Sequence, residues 1–361
     1  MEEEVVEFFK VWLIVIASLS SCYAIRKVVP KGTKRLLCVL PVVCLFLTLP
    51  LRFTWVHFSS TTAFFISWLA NFKLLLFAFG KGPLSSDPSL SLPLFVSVAS
   101  LPINIQQTPP QNHNPPHQNG KNKETPYQNS VPERTQKSFA INYTTKALLL
   151  ALLMQVYQYN AYVNAQILML VQYCLVYFYL ELLLALVAKL IRMTFGLELE
   201  PQFNEPYLSS SLQDFWGRRW NLMVSNILRP TVYEPVRNAC TPLIGRRCSQ
   251  LSAMFATFVV SGIMHELIFF YLGRGKPTWE ITCFFLLHGL CLVGEVAVKK
   301  VISEKWRLPR LISMPLSVGF VLVTGSRLFF PPLLRCDVFN RALKEYALLG
   351  ALVKEARFQH I

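Results

Sequence analysis

The sequence predicts an all-α, polytopic integral membrane protein. Hydrophobic residues make up 53% of the 361-residue chain and charged residues only 15%, and the mean hydropathy is +0.40. The apolar residues are also gathered into runs close to the roughly 20 residues that a helix needs to cross a bilayer. A chain with this composition and this pattern is not an ordinary soluble globular protein.

About eight of these runs are predicted to form transmembrane helices. They cover residues 5–25, 36–49, 58–79, 147–163, 167–190, 251–272, 279–298 and 311–330. Basic residues cluster in the connections at 26–35 and 299–310, so the positive-inside rule predicts cytosolic loops there and a luminal N-terminus. Residues 85–102 are weakly apolar and contain prolines, which is typical of an interfacial or re-entrant segment.

The chain is predicted to be one membrane-embedded domain over residues 1–361, with two long stretches outside the bilayer. Residues 103–137 are rich in Pro, Asn and Gln and cannot bury a core, which indicates a flexible cytosolic loop. Residues 196–250 form a cytosolic or interfacial region, and from Pro201 onward its basic residues are all arginine.

The formal net charge of +15 does not require a nucleic-acid partner. The positive residues lie between apolar runs, where anionic lipid headgroups attract them. The nine cysteines show no metal-ligand spacing. Phe269 stands where a zinc motif that begins at His265-Glu266 needs its second histidine. We therefore expect neither a nucleic-acid partner nor a metal ion.

His265 lies in the middle of the apolar run 251–272. Thr257, Ser261 and His265 follow one another at intervals of four residues, so on a helix they share one face. A polar stripe of this kind must face protein or a water-filled cavity. The imidazole could make an interhelical hydrogen bond, worth about 0.6 kcal/mol on average in membranes, or act as a general base on a hydroxyl group.

Two other spans carry polar residues whose roles the sequence leaves open. Glu181 could belong to a functional site or could pair with a neighbouring helix. His288 and Glu295 lie seven residues apart and share a helix face, with Gly289 allowing close helix approach. They could line the same cavity as His265 or form a structural polar pair, and we favour the structural role.

A polar and aromatic cluster precedes the run that contains His265. It reads Gln213-Asp214-Phe215-Trp216-Gly217-Arg218-Arg219-Trp220-Asn221. Trp and Arg are common anchors at a membrane interface. Arginine is also suited to bidentate contacts with phosphate. The six arginines between residues 201 and 250 would therefore suit an anionic, nucleotide-bearing substrate that arrives from the cytosol.

Taken together, the cluster 213–221, Leu228-Arg229-Pro230 and Ser261-Gly262-Ile263-Met264-His265-Glu266 resemble the membrane-bound O-acyltransferase superfamily. Within it, the chain is similar to the plant wax synthases, which are long-chain-alcohol O-fatty-acyltransferases. The segment Phe285-Leu286-Leu287-His288-Gly289 extends the likeness. The resemblance covers most of the chain apart from the Pro/Asn/Gln-rich loop, and it implies that the helices enclose a chamber.

The resemblance implies an acyl-CoA:fatty alcohol O-acyltransferase that forms wax esters in the membrane of the endoplasmic reticulum. His265 would take the proton of the alcohol as it attacks the thioester, and Asn221 would orient the acyl carbonyl or stabilise its oxyanion. Acyl-CoA is then a co-substrate, and no other cofactor is expected. We expect substrate contacts from Trp216, Arg218, Arg219, Trp220, Ser261 and His288, with Arg218 and Arg219 at the CoA moiety.

Other functions remain possible on the sequence alone. A sterol is an alternative acceptor, since plant sterol acyltransferases resemble the same family. A transporter with a proton path through Glu181, His265 and Glu295 is an alternative of another class, although the paired repeats and discontinuous helices common in transporters are not evident. A non-catalytic scaffold would leave the pairing of Asn221 with His265 unexplained. The oligomeric state stays open.

Overall fold

A computed structural model describes residues 2–87, 89–103, 134–196, 201–301 and 308–358. Within these ranges all regular structure is helical. The helices are α1 (Glu2–Val28), α2 (Thr33–Thr48), α3 (Val56–Ala78), α4 (Leu92–Ser100), α5 (Arg134–Gln158), α6 (Ala165–Phe195), α7 (Leu222–Leu228), α8 (Glu234–Gly273), α9 (Glu280–Val301), α10 (Arg310–Leu328), α11 (Phe330–Arg335) and α12 (Val338–Phe358). Shorter helical turns cover Leu49–Arg52, Asn160–Tyr162, Pro206–Leu208, Leu212–Asp214, Phe215–Arg219 and Arg229–Tyr233.

Seven helices in the described part of the chain are long and apolar enough to cross a membrane. These are α1, α2, α3, α6, α8, α9 and α10, some of them together with the adjoining helical turns. They correspond to seven of the eight predicted spans. The predicted span at 147–163 is not among these seven. The region is helical in α5, but Lys146 precedes its apolar part and Gln155 and Gln158 interrupt it, which lowers the mean hydropathy of this helix.

The chain forms two compact units, one of Met1–Asn104 with Glu200–Ile361 and the other of Ile105–Leu199. In the second unit α5 and α6 form a hairpin. The ammonium group of Lys146 lies 2.5 Å from Oε1 of Glu181, and both residues are buried. Glu181 therefore pairs with a neighbouring helix, one of the two roles left open for it. Most of the predicted flexible loop, residues 104–133, lies outside the described residues.

Helix α3 is the most deeply buried spanning helix of the larger unit, and its polar side chains complete the end of α2. Pro50 has no N–H, so the carbonyl group of Phe46 has no helical donor. The hydroxyl of Ser67 donates to this carbonyl oxygen at 2.6 Å. The hydroxyl of Tyr271, on α8, donates to the carbonyl oxygen of Leu47 at 2.6 Å. These bonds fix the packing of α2 against α3 and α8.

A buried lysine of α3 holds the short helix α4, which lies within the segment predicted to be interfacial or re-entrant. Lys73 is only 1% exposed, and its ammonium group donates to the carbonyl oxygens of Val98 and Leu101, each at 2.6 Å. These carbonyls lie at the C-terminal end of α4, where a helix lacks donors of its own and its dipole favours a cation. The ammonium group of Lys73 supplies both the missing donors and the positive charge.

Helix α12 follows the last predicted span and closes the opposite end of α3. The carboxylate of Glu345 accepts hydrogen bonds from the backbone N–H groups of Val56, at 2.5 Å, and His57, at 3.2 Å. A carboxylate at this position satisfies unpaired donors of the first helical turn. The imidazole of His57 also contacts Glu345 and the hydroxyl of Tyr346.

Helices α8 and α9 approach each other closely because glycines lie at their contact. A Cβ atom on Gly262 would lie 3.1 Å from the Cα of Thr282, and one on Gly289 would lie 2.8 Å from the Cβ of Phe258. Small residues allow this spacing between helices in membranes. The close approach predicted at Gly289 is confirmed.

We expect Gly289→Ala to lower the thermal stability of the protein. The added methyl group overlaps Phe258, and overpacking of this kind costs about 1–3 kcal/mol, which outweighs a gain in helix propensity of up to about 1 kcal/mol. Gly294→Ala is the matched control on the same helix, since no atom lies within 4 Å of the added methyl group there. Thermal unfolding of both purified variants checks this, and equal melting temperatures would contradict it.

Candidate active site

A cavity of about 440 Å³ lies in the larger unit, between residues 213–233 and helices α3, α8 and α9. This volume is within the usual range for a small-molecule site. The apolar lining residues are Trp68, Trp216, Trp220, Val224, Leu228, Met254, Phe258, Phe285 and Leu292. The polar ones are Gln213, Asn221, Ser225, Arg229, Tyr233, Thr257, Ser261 and His265, with Gly217 between the two groups. The cavity therefore has an apolar wall rich in aromatic side chains and a set of polar groups among them.

The polar stripe predicted on one face of the helix is present on α8. Thr257, Ser261 and His265 all line the cavity. The prediction that these three residues share a face is confirmed, and the face is turned to the cavity. His265 is thus accessible from the cavity while it remains within a membrane-spanning helix.

The backbone of α8 fixes the protonation pattern of the His265 ring. Nδ1 of His265 lies 2.7 Å from the carbonyl oxygen of Ser261. A carbonyl oxygen can only accept, so Nδ1 must carry the proton of the neutral ring. Nε2 is then the unprotonated nitrogen, and within the described residues it has no hydrogen-bond partner. The ring therefore offers a proton acceptor to whatever occupies the cavity.

Aromatic side chains hold the His265 ring in this orientation. Phe285 of α9 stacks on it with the ring centres 4.3 Å apart. Trp68 of α3 and Phe329 approach it edge-on, with ring centres at 5.1 and 6.1 Å. Trp68 projects from a stretch of α3, Ala63–Ala70, that is wound with wider π-helical turns. Such turns occur often at functional sites.

Asn221 carries an amide group on the lining of the same cavity. Its backbone is in the left-handed conformation, with φ of 41°, and it caps the N-terminus of α7. Oδ1 accepts a long hydrogen bond, 3.4 Å, from the backbone N–H of Val224. Because the capping bond needs the amide oxygen, the amide NH₂ group is left as a donor. Asn221 also lines the cavity.

The cluster 213–221 is held in shape by contacts within it and with α9. The carboxylate of Glu295 accepts from the backbone N–H of Leu212 at 2.8 Å. Nε of Arg219 donates to Asp214 at 2.8 Å, and its terminal nitrogen donates to the carbonyl oxygens of Asn204 and Glu205. Arg219 is thus committed to local structure and does not line the cavity.

His288 lies behind the cavity wall. It is completely buried, and Nδ1 accepts from the indole N–H of Trp216 at 3.1 Å. Its Nε2 lies 2.8 Å from the hydroxyl oxygen of Thr324. From one face of α9, His288 therefore binds Trp216 and Glu295 binds Leu212. These contacts fit the structural role favoured for the pair, whereas the expected substrate contact of His288 has no cavity-lining position to support it.

The arginines are distributed differently from the expectation. Arg218 is exposed and Arg219 is internally bonded, and neither lines the cavity. Arg229 does line it, with a side chain 73% exposed and a loose ion pair to Glu234 at 3.7 Å. The only feature of the sequence that pointed to Arg229 was its place in the motif Leu228-Arg229-Pro230. Trp68, by contrast, carries no sequence signal that would assign it to the site.

No group of three or more His, Cys, Asp or Glu side chains in the described parts of the chain could hold a metal ion. What the cavity contains is a proton acceptor, an amide donor and a mainly apolar wall. This arrangement can activate a hydroxyl group and stabilise negative charge on a carbonyl oxygen. The geometry is that of a membrane-embedded enzyme that works on apolar substrates.

Comparison with known proteins identifies the class of enzyme. The model of the membrane bound O-acyl transferase family matches residues 199–287, the region that contributes most of the cavity. Acyl-CoA–sterol O-acyltransferase 1 of Arabidopsis thaliana is 47% identical over 97% of this chain and 97% of that protein. The long-chain-alcohol O-fatty-acyltransferase of Simmondsia chinensis is 45% identical over 97% of this chain and 96% of that protein.

A third relative, probable long-chain-alcohol O-fatty-acyltransferase 3 of Arabidopsis thaliana, is 44% identical over 98% of this chain and 97% of that protein. The chain therefore belongs to the membrane-bound O-acyltransferase family. With the seven long apolar helices, this membership makes it a multi-pass membrane enzyme. The resemblance seen in the motif residues is confirmed.

The left-handed backbone at Asn221 leads to a stability prediction. We expect Asn221→Gly to fold nearly as well as the wild type, because Gly tolerates positive φ and is an adequate cap. Asn221→Ala loses the cap, about 1 kcal/mol, and strains the left-handed backbone by roughly 1–2 kcal/mol more. Thermal unfolding should rank wild type, Gly and Ala in that order. A Gly variant as unstable as the Ala variant would contradict this.

Proposed function

We propose that the protein transfers the fatty acyl group of an acyl-CoA to the hydroxyl group of a long-chain alcohol and so forms a wax ester. Several full-length relatives carry the name long-chain-alcohol O-fatty-acyltransferase. The observation that carries the proposal is that His265, whose Nε2 is unprotonated, lines a mainly apolar cavity from within a membrane-spanning helix.

In the proposed reaction, Nε2 of His265 accepts the hydroxyl proton while the alcohol oxygen attacks the thioester carbonyl carbon. A new C–O bond forms and the carbon–sulfur bond breaks. The imidazolium returns its proton to the departing CoA thiolate, so the products are the ester and free CoA. No acyl-enzyme and no cofactor beyond acyl-CoA is needed. The Nδ1 bond to the Ser261 carbonyl stabilises the imidazolium, since it persists in both protonation states.

Asn221 is proposed to donate its amide N–H to the carbonyl oxygen of the acyl group. Negative charge develops on that oxygen in the transition state, and a fixed donor in an apolar site stabilises it strongly. The amide is oriented before substrate arrives because its oxygen caps α7. Trp216, Trp220 and Ser261 would form the wall against the reacting groups, in keeping with their cavity-lining positions.

We further propose that the phosphate groups of CoA bind at Arg229, with Arg218, which is also exposed, as a second contact. Arg229 combines a position on the cavity lining with a largely exposed guanidinium group. This is suited to a ligand with an apolar acyl chain and a charged, hydrated head. We also propose that the protein lies in the membrane of the endoplasmic reticulum. The cavity would open to the cytosol there, where acyl-CoA can enter.

A sterol is the second candidate acceptor. The observation in its favour is the 47% identity to a protein named acyl-CoA–sterol O-acyltransferase. The chemistry at His265 and Asn221 would be the same, since both acceptors present a hydroxyl group on an apolar body. Microsomes that contain the protein, given labelled palmitoyl-CoA with either a long-chain alcohol or a sterol, distinguish the two. If only sterol ester forms, the acceptor is a sterol and not a long-chain alcohol.

The same assay tests the catalytic assignment. We expect His265→Gln to lower ester formation by about 10²–10⁴-fold, as removal of a general base does. Asn221→Gly should lower it by about 10²–10³-fold, as removal of an oxyanion donor does. His57→Gln is the matched control, because His57 lies outside the cavity. Equal activity of the wild type and the His265 variant, per amount of folded protein, would exclude His265 as the base.

A kinetic prediction concerns Arg229. We expect Arg229→Ala to raise the KM for acyl-CoA roughly 10-fold, which corresponds to the loss of one charged hydrogen bond of about 1.5 kcal/mol, while kcat changes little. Arg246→Ala is the control, since Arg246 is exposed and lies outside the cavity lining. Steady-state kinetics at fixed alcohol concentration check this. A rise in KM with Arg218→Ala and none with Arg229→Ala would assign the contact to Arg218 instead.

A further inference from the structure

A chain of hydrogen bonds runs from the cavity wall to α10 and crosses the buried ring of His288. The indole N–H of Trp216 donates to Nδ1 of His288 at 3.1 Å. Nε2 of His288 lies 2.8 Å from the hydroxyl oxygen of Thr324, and that hydroxyl lies 2.7 Å from the carbonyl oxygen of Phe320. The donor and the acceptor of each hydrogen bond in this chain can be assigned.

The direction follows from the two ends of the chain. An indole nitrogen can only donate, so Nδ1 of His288 must be an acceptor. The carbonyl oxygen of Phe320 can only accept, so the Thr324 hydroxyl donates to it and receives the Nε2–H of His288. The neutral His288 ring therefore carries its proton on Nε2. His265 carries its proton on the opposite nitrogen, Nδ1, so the two imidazoles have different, fixed tautomers.

The position of Trp216 connects this chain to the reacting groups. Its ring lines the cavity and packs against Phe285 with ring centres 5.8 Å apart. Phe285 in turn stacks on His265 at 4.3 Å. The Trp216 indole thus forms part of the cavity wall and also contacts Phe285, the ring that restrains His265. A rotation of the indole would disturb both.

We infer that His288 is a positioning residue for the acyl transfer, which holds the Trp216 indole against Phe285 through an acceptor nitrogen whose tautomer is set by Thr324. This inference rests on the proposed function. It assigns His288 no contact with substrate and no proton transfer. The consequence is that the acceptor at Nδ1, and not the imidazole ring as such, is what the reaction requires.

Substitutions at His288 separate these requirements. In His288→Asn, the side-chain oxygen lies where Nδ1 lies and can still accept from Trp216. In His288→Gln, the polar group reaches toward the Nε2 position, and in His288→Ala there is none. We expect kcat for ester formation to fall roughly 10- to 100-fold in the Ala and Gln variants, as for a misplaced reacting group, and most of the wild-type kcat to remain in the Asn variant. The KM for acyl-CoA should stay constant throughout.

Thr324 gives a second test that leaves His288 intact. Thr324→Val removes the acceptor of the Nε2 proton, so the ring is free to adopt the other tautomer and lose the Trp216 bond. We expect a fall in kcat like that of His288→Ala, and its recovery in Thr324→Ser. Ser326→Ala is the matched control on the same helix, because within the described ranges the Ser326 hydroxyl bonds only to its own helix backbone, at Val323. It should have wild-type kinetics.

A double-mutant cycle with Trp216→Phe completes the test. If His288 acts through the indole N–H, the Trp216→Phe, His288→Ala double variant should be no slower than Trp216→Phe alone. Additive losses, or equal kcat in His288→Asn and His288→Ala, would overturn the inference. The Thr324 variants decide if His288→Ala does not fold. If the wild-type protein forms no ester, the proposed function is refuted. That result differs from failure of the inference, in which the wild type is active and the variants do not follow the expected order.

Discussion

The hydrogen bond from Nδ1 of His265 to the carbonyl oxygen of Ser261 is the interaction on which the site depends. It lies within α8, so it forms wherever that helix forms, and it leaves the unprotonated nitrogen free on a residue that lines the cavity. The surrounding packing serves to keep this geometry. Phe285 can stack on the ring only because α9 approaches α8 closely at Gly262 and Gly289.

The second half of the site is built by a different device. Asn221 sits in a backbone conformation that is unfavourable for most residues and is common at functional positions. The strain is offset because the same side chain caps α7, and because α9 binds Trp216 through His288 and the preceding residue Leu212 through Glu295. An amide held in this way needs no reorganisation when charge develops beside it, and the apolar wall strengthens its effect.

Local patterns allowed the sequence to predict the spanning helices and the polar stripe of α8, since hydropathy and helical periodicity depend on neighbours in the chain. Other features depend on contacts between distant segments. Arg219 bonds to Asp214 instead of substrate, and the sequence could not distinguish it from Arg218 or Arg229. Trp68 reaches His265 from a widened turn of α3 that no periodicity marks. Helix α12 has too little apolar character to be recognised as part of the fold, yet it caps α3.

The central claim is that the acceptor hydroxyl is activated by Nε2 of His265. The most direct measurement is a high-resolution structure of the protein with a long-chain alcohol and an unreactive thioether analogue of acyl-CoA. With His265 as the base, the alcohol oxygen should lie within about 2.6–3.2 Å of Nε2, with the acyl group beside the Asn221 amide. An alcohol oxygen bound elsewhere, with Nε2 bonded to a protein group in the occupied site, would contradict the account.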